Sequence, residues 1–182
     1  MTVNLLGFRI THRAMRADTR RLATALNKLA ADDRPADPAR LDAIAKFATS
    51  LCAGIHHHHT VEDLELWPVI VRAAGAEVEL SDLTDDHDAL DPILDEITAA
   101  AGRLRADRAA VPAMAEAMGR LADLLDEHIE EKERRLFPII LKYGTGSSSS
   151  PARAATSAST CRGLASTRCP RNWRSCAARA AR

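Results

Sequence analysis

Apolar residues recur along the first 143 positions at alternating steps of three and four, the spacing that lines one face of an α-helix. The first stripe is Leu5, Phe8, His12, Met15, Thr19, Leu22, Leu26 and Leu29. A polar, proline-bearing stretch at 32–38 interrupts it, and there Asp37 is suited to cap a second helix that has Pro38 at its first position. The second stripe reads Leu41, Ile44, Ala48, Leu51, Ile55, His58, Glu62, Leu66 and Val69, with Gly75 placed to end it. The third is Leu80, Leu83, His87, Leu90, Leu94, Ile97, Ala101 and Leu104, with Ser81 or Asp82 as its cap. The fourth is Val111, Met114, Met118, Leu121, Leu125 and His128, with Pro112 near its start and Gly144 beyond its end. No run alternates in period two for long enough to make a strand. The expected fold is all-α, an up-down-up-down four-helix bundle over residues 1–143.

Each stripe is broken once by a histidine: His12, His58, His87 and His128 occupy positions that should be apolar. Four consecutive histidines stand at 56–59, and neighbours on a helix point about 100° apart, so only one or two of them face inward. The stripe selects His58, with Glu62 one turn later on the same face. His59 borders the seam, while His56 and His57 are expected in solvent, where such a run is also what a chance surface cluster looks like. There is an internal echo as well. His58 and Trp67-Pro68 return 70 residues later as His128 and Phe137-Pro138, with Glu62 echoed 71 positions on by Glu133, and His12 and His87 form a weaker pair 75 residues apart. Two αα-hairpins of one plan would bring four histidine-bearing faces to one level.

A single core histidine is usually satisfied by a neighbour, but four at one level with two carboxylates are costly unless something compensates them. Imidazole nitrogen with carboxylate oxygen suits iron, zinc or manganese. Two carboxylates able to bridge, with histidines on both sides, point to two ions. A structural zinc site would use fewer ligands and usually thiolates. Ferritin-like di-iron bundles need a Glu-x-x-His turn, and no acidic residue stands three before any histidine here.

The ligand order, His12, then His58 with Glu62, then His87, then His128 with Glu133, resembles the hemerythrin-like, or HHE cation-binding, family. The Leu-Trp-Pro and Leu-Phe-Pro that follow the second and fourth motifs match it too, and the resemblance covers roughly residues 5–143. It implies two iron ions, one on His12 and His58 and the other on His87 and His128, bridged by Glu62, Glu133 and an oxo or hydroxo group. Oxygen-carrying members have a second histidine one turn after that of the third helix, where this chain has Asp91, followed by Pro92. Asp91 is either a ligand or a solvated acid of an Asp-rich helix. A carboxylate ligand would favour the ferric state, which argues for redox turnover or sensing of O2, peroxide or NO over simple oxygen carriage. The alternatives are a non-catalytic iron-responsive module and a protein that stores or donates iron; whether the chain is an enzyme stays open.

Composition changes the picture at one end only. The formal net charge of zero conceals an acidic stretch at 1–143, net −7, and a remainder at 144–182 with seven arginines, no lysine and no acid. A Gly/Ser-rich linker opens that remainder, and its Ala/Arg/Ser/Cys bias without an apolar face predicts disorder. Its basic charge suits nonspecific phosphate contact, yet Trp173 is its one aromatic, which argues against nucleic acid as a specific partner. A shifted reading frame in GC-rich DNA would give the same composition. Cys161, Cys169 and Cys176 match no zinc module and Cys52 stands alone, so no disulfide framework is expected. The apolar run at 5–8 is too brief for a signal or a membrane span, and the expected location is the cytoplasm.

Overall fold

A computed structural model describes residues 3–32, 36–104 and 106–144. The expected linker and disordered tail, 144–182, lies outside the described residues except for Gly144. Five α-helices form four rods: α1 (Leu6–Ala30), α2 (Pro38–Val61) continued by α3 (Trp67–Ala74), α4 (Ser81–Arg103) and α5 (Ala110–Tyr143). A π-helical turn, Glu62–Leu66, joins α2 to α3, closed by the Trp67 N–H donating to the Glu62 carbonyl. The rods pack in a ring, α1 on α2, α2 on α4, α4 on α5 and α5 back on α1. That is the up-down-up-down bundle, and there is no strand among the described residues.

The helix ends follow local chemistry. Asp37 lies extended and accepts a hydrogen bond from the Ala39 N–H, with Pro38 in the first turn. Gly75 takes a positive φ of 56° where the second rod stops, a conformation that a side chain would strain. The start of α4 differs from expectation. Neither Ser81 nor Asp82 caps it; Glu79 reaches forward and accepts from the Ser81 N–H, because Ser81 is already inside the helix.

The stripes of α1, α4 and α5 are buried as their spacing predicts, and Leu26, Leu83, Leu121 and Leu125 have no exposed surface. The second rod departs from its expected seam. Its buried line runs Leu41, Ala45, Ala48, Cys52, Ile55, His59, Glu62, Trp67 and Ile70, whereas Ile44 and Leu51 only flank the core. The step of five from Glu62 to Trp67 is the π turn.

The apolar interior falls into two clusters, a large one from Met15 to Ile129 and a small one of Trp67, Ile70, Leu80, Leu83 and Leu136. The buried polar residues belong to neither. Leu121→Ala, deep in the large cluster, should cost about 2–5 kcal/mol through the cavity it leaves. In urea the midpoint should fall with an unchanged slope. No helix of the described residues is long and apolar enough to cross a membrane.

Candidate metal centre

Six charged or titratable side chains are buried together: His12, His59, Glu62, His87, His128 and Lys132. Donor atoms of five of them, with those of the half-buried His58, form two groups, each within 4.8 Å: His12, His58 and Glu62, and His59, Glu62, His87 and His128. Glu62 belongs to both. It is the first residue of the π turn, at the junction between the two segments of the rod.

Three of the histidines are backed by a carboxylate. His12 Nδ1 donates to Glu133 Oε1 at 2.8 Å, His87 Nδ1 to Asp63 at 2.9 Å and His128 Nδ1 to Asp86 Oδ2 at 2.9 Å. An ionised carboxylate only accepts, so the proton of each neutral ring lies on Nδ1 and the lone pair on Nε2, facing inward. This is the arrangement in which an outer carboxylate orients a metal-binding imidazole. His87 Nε2 and His128 Nε2 then face each other at 3.1 Å, lone pair to lone pair. That approach is repulsive until a proton or cation lies between them.

Several buried donors lack any partner. His12 Nε2, His58 Nε2, both nitrogens of His59 and Glu62 Oε1 are among them. Native interiors leave few such atoms, and a converging set of them is what a cation would satisfy. The donor set, imidazole nitrogen with one shared carboxylate, fits a borderline metal such as iron. Cys52 packs in the large apolar cluster, and burial pushes its thiol up to about 11, so it offers no thiolate.

Electrostatics keep the nitrogens in their ligating form. Burial, followed by the Lys132 charge, lowers His12 from 6.5 to about 4. Burial also lowers His59 and His128, with His87 and Lys132 adding to the shift in both. Burial alone would raise Glu62, but the Lys132 ammonium, and then the His58 ring beside it, hold it well below the usual carboxylate range. Lys132 Nζ is 2.5 Å from Glu62 Oε2. Burial pulls Lys132 down more than Glu62 pulls it up, so it lies below the usual lysine range.

Of the residues singled out by sequence, His12, His58, Glu62, His87 and His128 lie in the two groups. Glu133 and Asp91 do not. Glu133 stands behind His12, and Asp91 Oδ1 lies 3.1 Å from His56 Nδ1. His58 is half-buried at the edge of the seam, 3.3 Å from Glu62 Oε1, while His59 is fully inside and stacked on His87 with ring centres 4.1 Å apart. His57 is exposed.

Sequence reasoning missed the full burial of His59, and with it Lys132, Asp63 and Asp86. The line through Ala45, Ala48, Cys52 and Ile55 leads to His59 by the same three-four rule. Lys132 lies one turn after His128 and one before Leu136, on a continuing stripe.

The two aromatic-proline motifs close the site. The Trp67 ring stacks at 6.1 Å from His87, and Phe137 lies parallel to His12 at 6.3 Å. Each caps a histidine of the neighbouring rod, which is the structural meaning of the 70-residue echo.

No curated protein and no solved structure matches the chain. A family model described as the hemerythrin HHE cation-binding domain matches residues 8–140. That span takes in all four rods and both donor groups, and the chain belongs to the hemerythrin HHE cation-binding family.

Proposed function

We propose that this chain is a non-haem iron protein that holds two ions across Glu62 and reacts with, or senses, O2, peroxide or NO. One observation carries the reading: a single buried carboxylate is common to two converging sets of imidazole nitrogens. Iron there would supply one-electron and two-electron redox chemistry that no side chain offers. The residues supply the setting. Glu133, Asp63 and Asp86 fix the tautomers of His12, His87 and His128. Trp67 and Phe137 cover the rings from the small-cluster end. A cleft of about 120 Å³ between α4 and α5, lined in part by Leu90, Leu124 and Glu127, reaches His128, a size suited to a diatomic molecule or peroxide.

A second reading, an iron-responsive or iron-donating module, is favoured by Lys132. Its ammonium balances the Glu62 charge, so that carboxylate has a counter-charge of its own in the chain. The two separate by experiment. Protein loaded anaerobically with Fe2+ and mixed with O2, peroxide or NO should change its visible spectrum within the mixing experiment and consume the oxidant. Tightly held iron with no reaction would leave sensing, and iron lost readily to a chelator would favour donation. Oxygen taken up and released unchanged would replace turnover by carriage. A chain that retains no iron would end the proposal.

A further inference from the structure

Lys132 is the only buried lysine or arginine among the described residues, and neither donor group contains it. It sits one turn after His128 in α5, with Nζ 2.5 Å from Glu62 Oε2 and 5.9 Å from the centre of the Trp67 ring. Glu62 Oε2 is also the oxygen turned to the second group, 3.5 Å from His87 Nε2. Glu62 Oε1 is different. It is buried without a hydrogen-bond partner, beside the equally unpartnered Nε2 atoms of His12 and His58. The shared carboxylate therefore has one oxygen already paired with a cation and one that faces only a neutral imidazole, His58, at 3.3 Å.

We propose that Lys132 is a built-in cation that makes the two metal positions unequal, so that His12, His58 and Glu62 Oε1 take the first ion and a second is admitted only when Lys132 leaves Glu62 Oε2. The inference rests on the metal-centre reading above and adds an order of filling to it. His12, His58 and Glu62 form a two-histidine, one-carboxylate set, which is a sufficient iron site with open positions. On the other side, His59, His87 and His128 offer neutral nitrogens, but the only carboxylate among their donors is engaged. Displacing the ammonium breaks a buried ion pair, which should weaken the second ion relative to the first by roughly 100-fold. A lysine that merely braces the bundle would change stability when removed and leave the ratio of the two affinities alone.

The test is an anaerobic Fe2+ titration of the full chain, stripped of metal beforehand, by calorimetry with metal analysis of the dialysed product. Wild-type protein should take one tight equivalent, with a second at least roughly 100-fold weaker. In Lys132→Met the two equivalents should bind within tenfold of each other. Two equal equivalents in wild-type protein would overturn the proposal, and this arm stands even if Lys132→Met folds poorly without metal. The same would follow from a Lys132→Met protein that keeps the wild-type ratio. Failure of the wild-type chain to retain any Fe2+ is a separate result, and it would remove the metal-centre reading itself.

Discussion

Glu62→Gln should lose metal at both positions at once and, with no metal present, destabilise the bundle by about 3–5 kcal/mol. The first effect follows from sharing: one carboxylate serves the His12 and His58 group and the His59, His87 and His128 group. The second follows from Lys132, which is buried with Glu62 as its hydrogen-bonded carboxylate. An amide in that place leaves an ammonium in the interior with no counter-charge. Metal content after dialysis reads the first effect, and urea midpoints in chelator read the second. Adding Lys132→Met to Glu62→Gln removes both charges, so much of the lost stability should return while the metal does not. A single variant with a wild-type midpoint would show that the pair contributes nothing to the metal-free fold.

Acid should unfold the metal-free bundle from below neutrality, ahead of ordinary carboxylate titration. His12 titrates near 6.5 when unfolded and at about 4 when folded, so its folded value is depressed. Between these values the unfolded chain binds a proton that the native site refuses. The stability associated with its neutral form is thus fully present above pH 6.5 and is lost as pH falls towards 4. His12 alone removes about 3 kcal/mol by pH 4. His59 and His128 are depressed too and act in the same direction over the same descent. Glu62, held below its ordinary 4.5, adds stability that is present above 4.5 and disappears only at lower pH. Urea midpoints in chelator at pH 7.5, 6 and 4.5 should therefore fall in sequence. A flat profile down to pH 5 would contradict buried neutral imidazoles. Bound metal should move the whole loss to lower pH, since it needs the lone pairs that protons would take.

Much of this was legible in the sequence, for identifiable reasons. The stripes of α1, α4 and α5 keep an unbroken three-four rhythm, so His12, His87 and His128 could be placed in the interior from spacing alone. The second rod defeated the same argument twice. It carries two adjacent lines, one through Ile44 and Leu51 to His58 and one through Ala45 and Cys52 to His59, and both satisfy the rule. Packing chose the second line for full burial, because alanine and cysteine let neighbouring helices come close. Lys132 was invisible because lysine is counted as a solvent residue, and only the proximity of Glu62, 70 positions away, makes its burial tolerable. Asp63 and Asp86 lie off the stripes, so their role behind His87 and His128 appears only once the rods are assembled.

The π turn at Glu62–Leu66 has a consequence for how this chain tolerates change. Each residue of an α-helix advances the side-chain direction by about 100°. The extra residue in the turn sets the downstream segment back by one such increment, and so Glu62 and Trp67 both meet the core although five positions separate them. The segment is thus a phase shifter inserted in a continuous rod. Removing one residue between Glu62 and Trp67 would not shorten a loop. It would let α2 and α3 run as one plain α-helix with Trp67 four and Ile70 seven positions after Glu62, both still facing the small cluster; winding the full-length segment as plain α-helix is what would turn them off it. In this rod the π turn lets length change while direction holds.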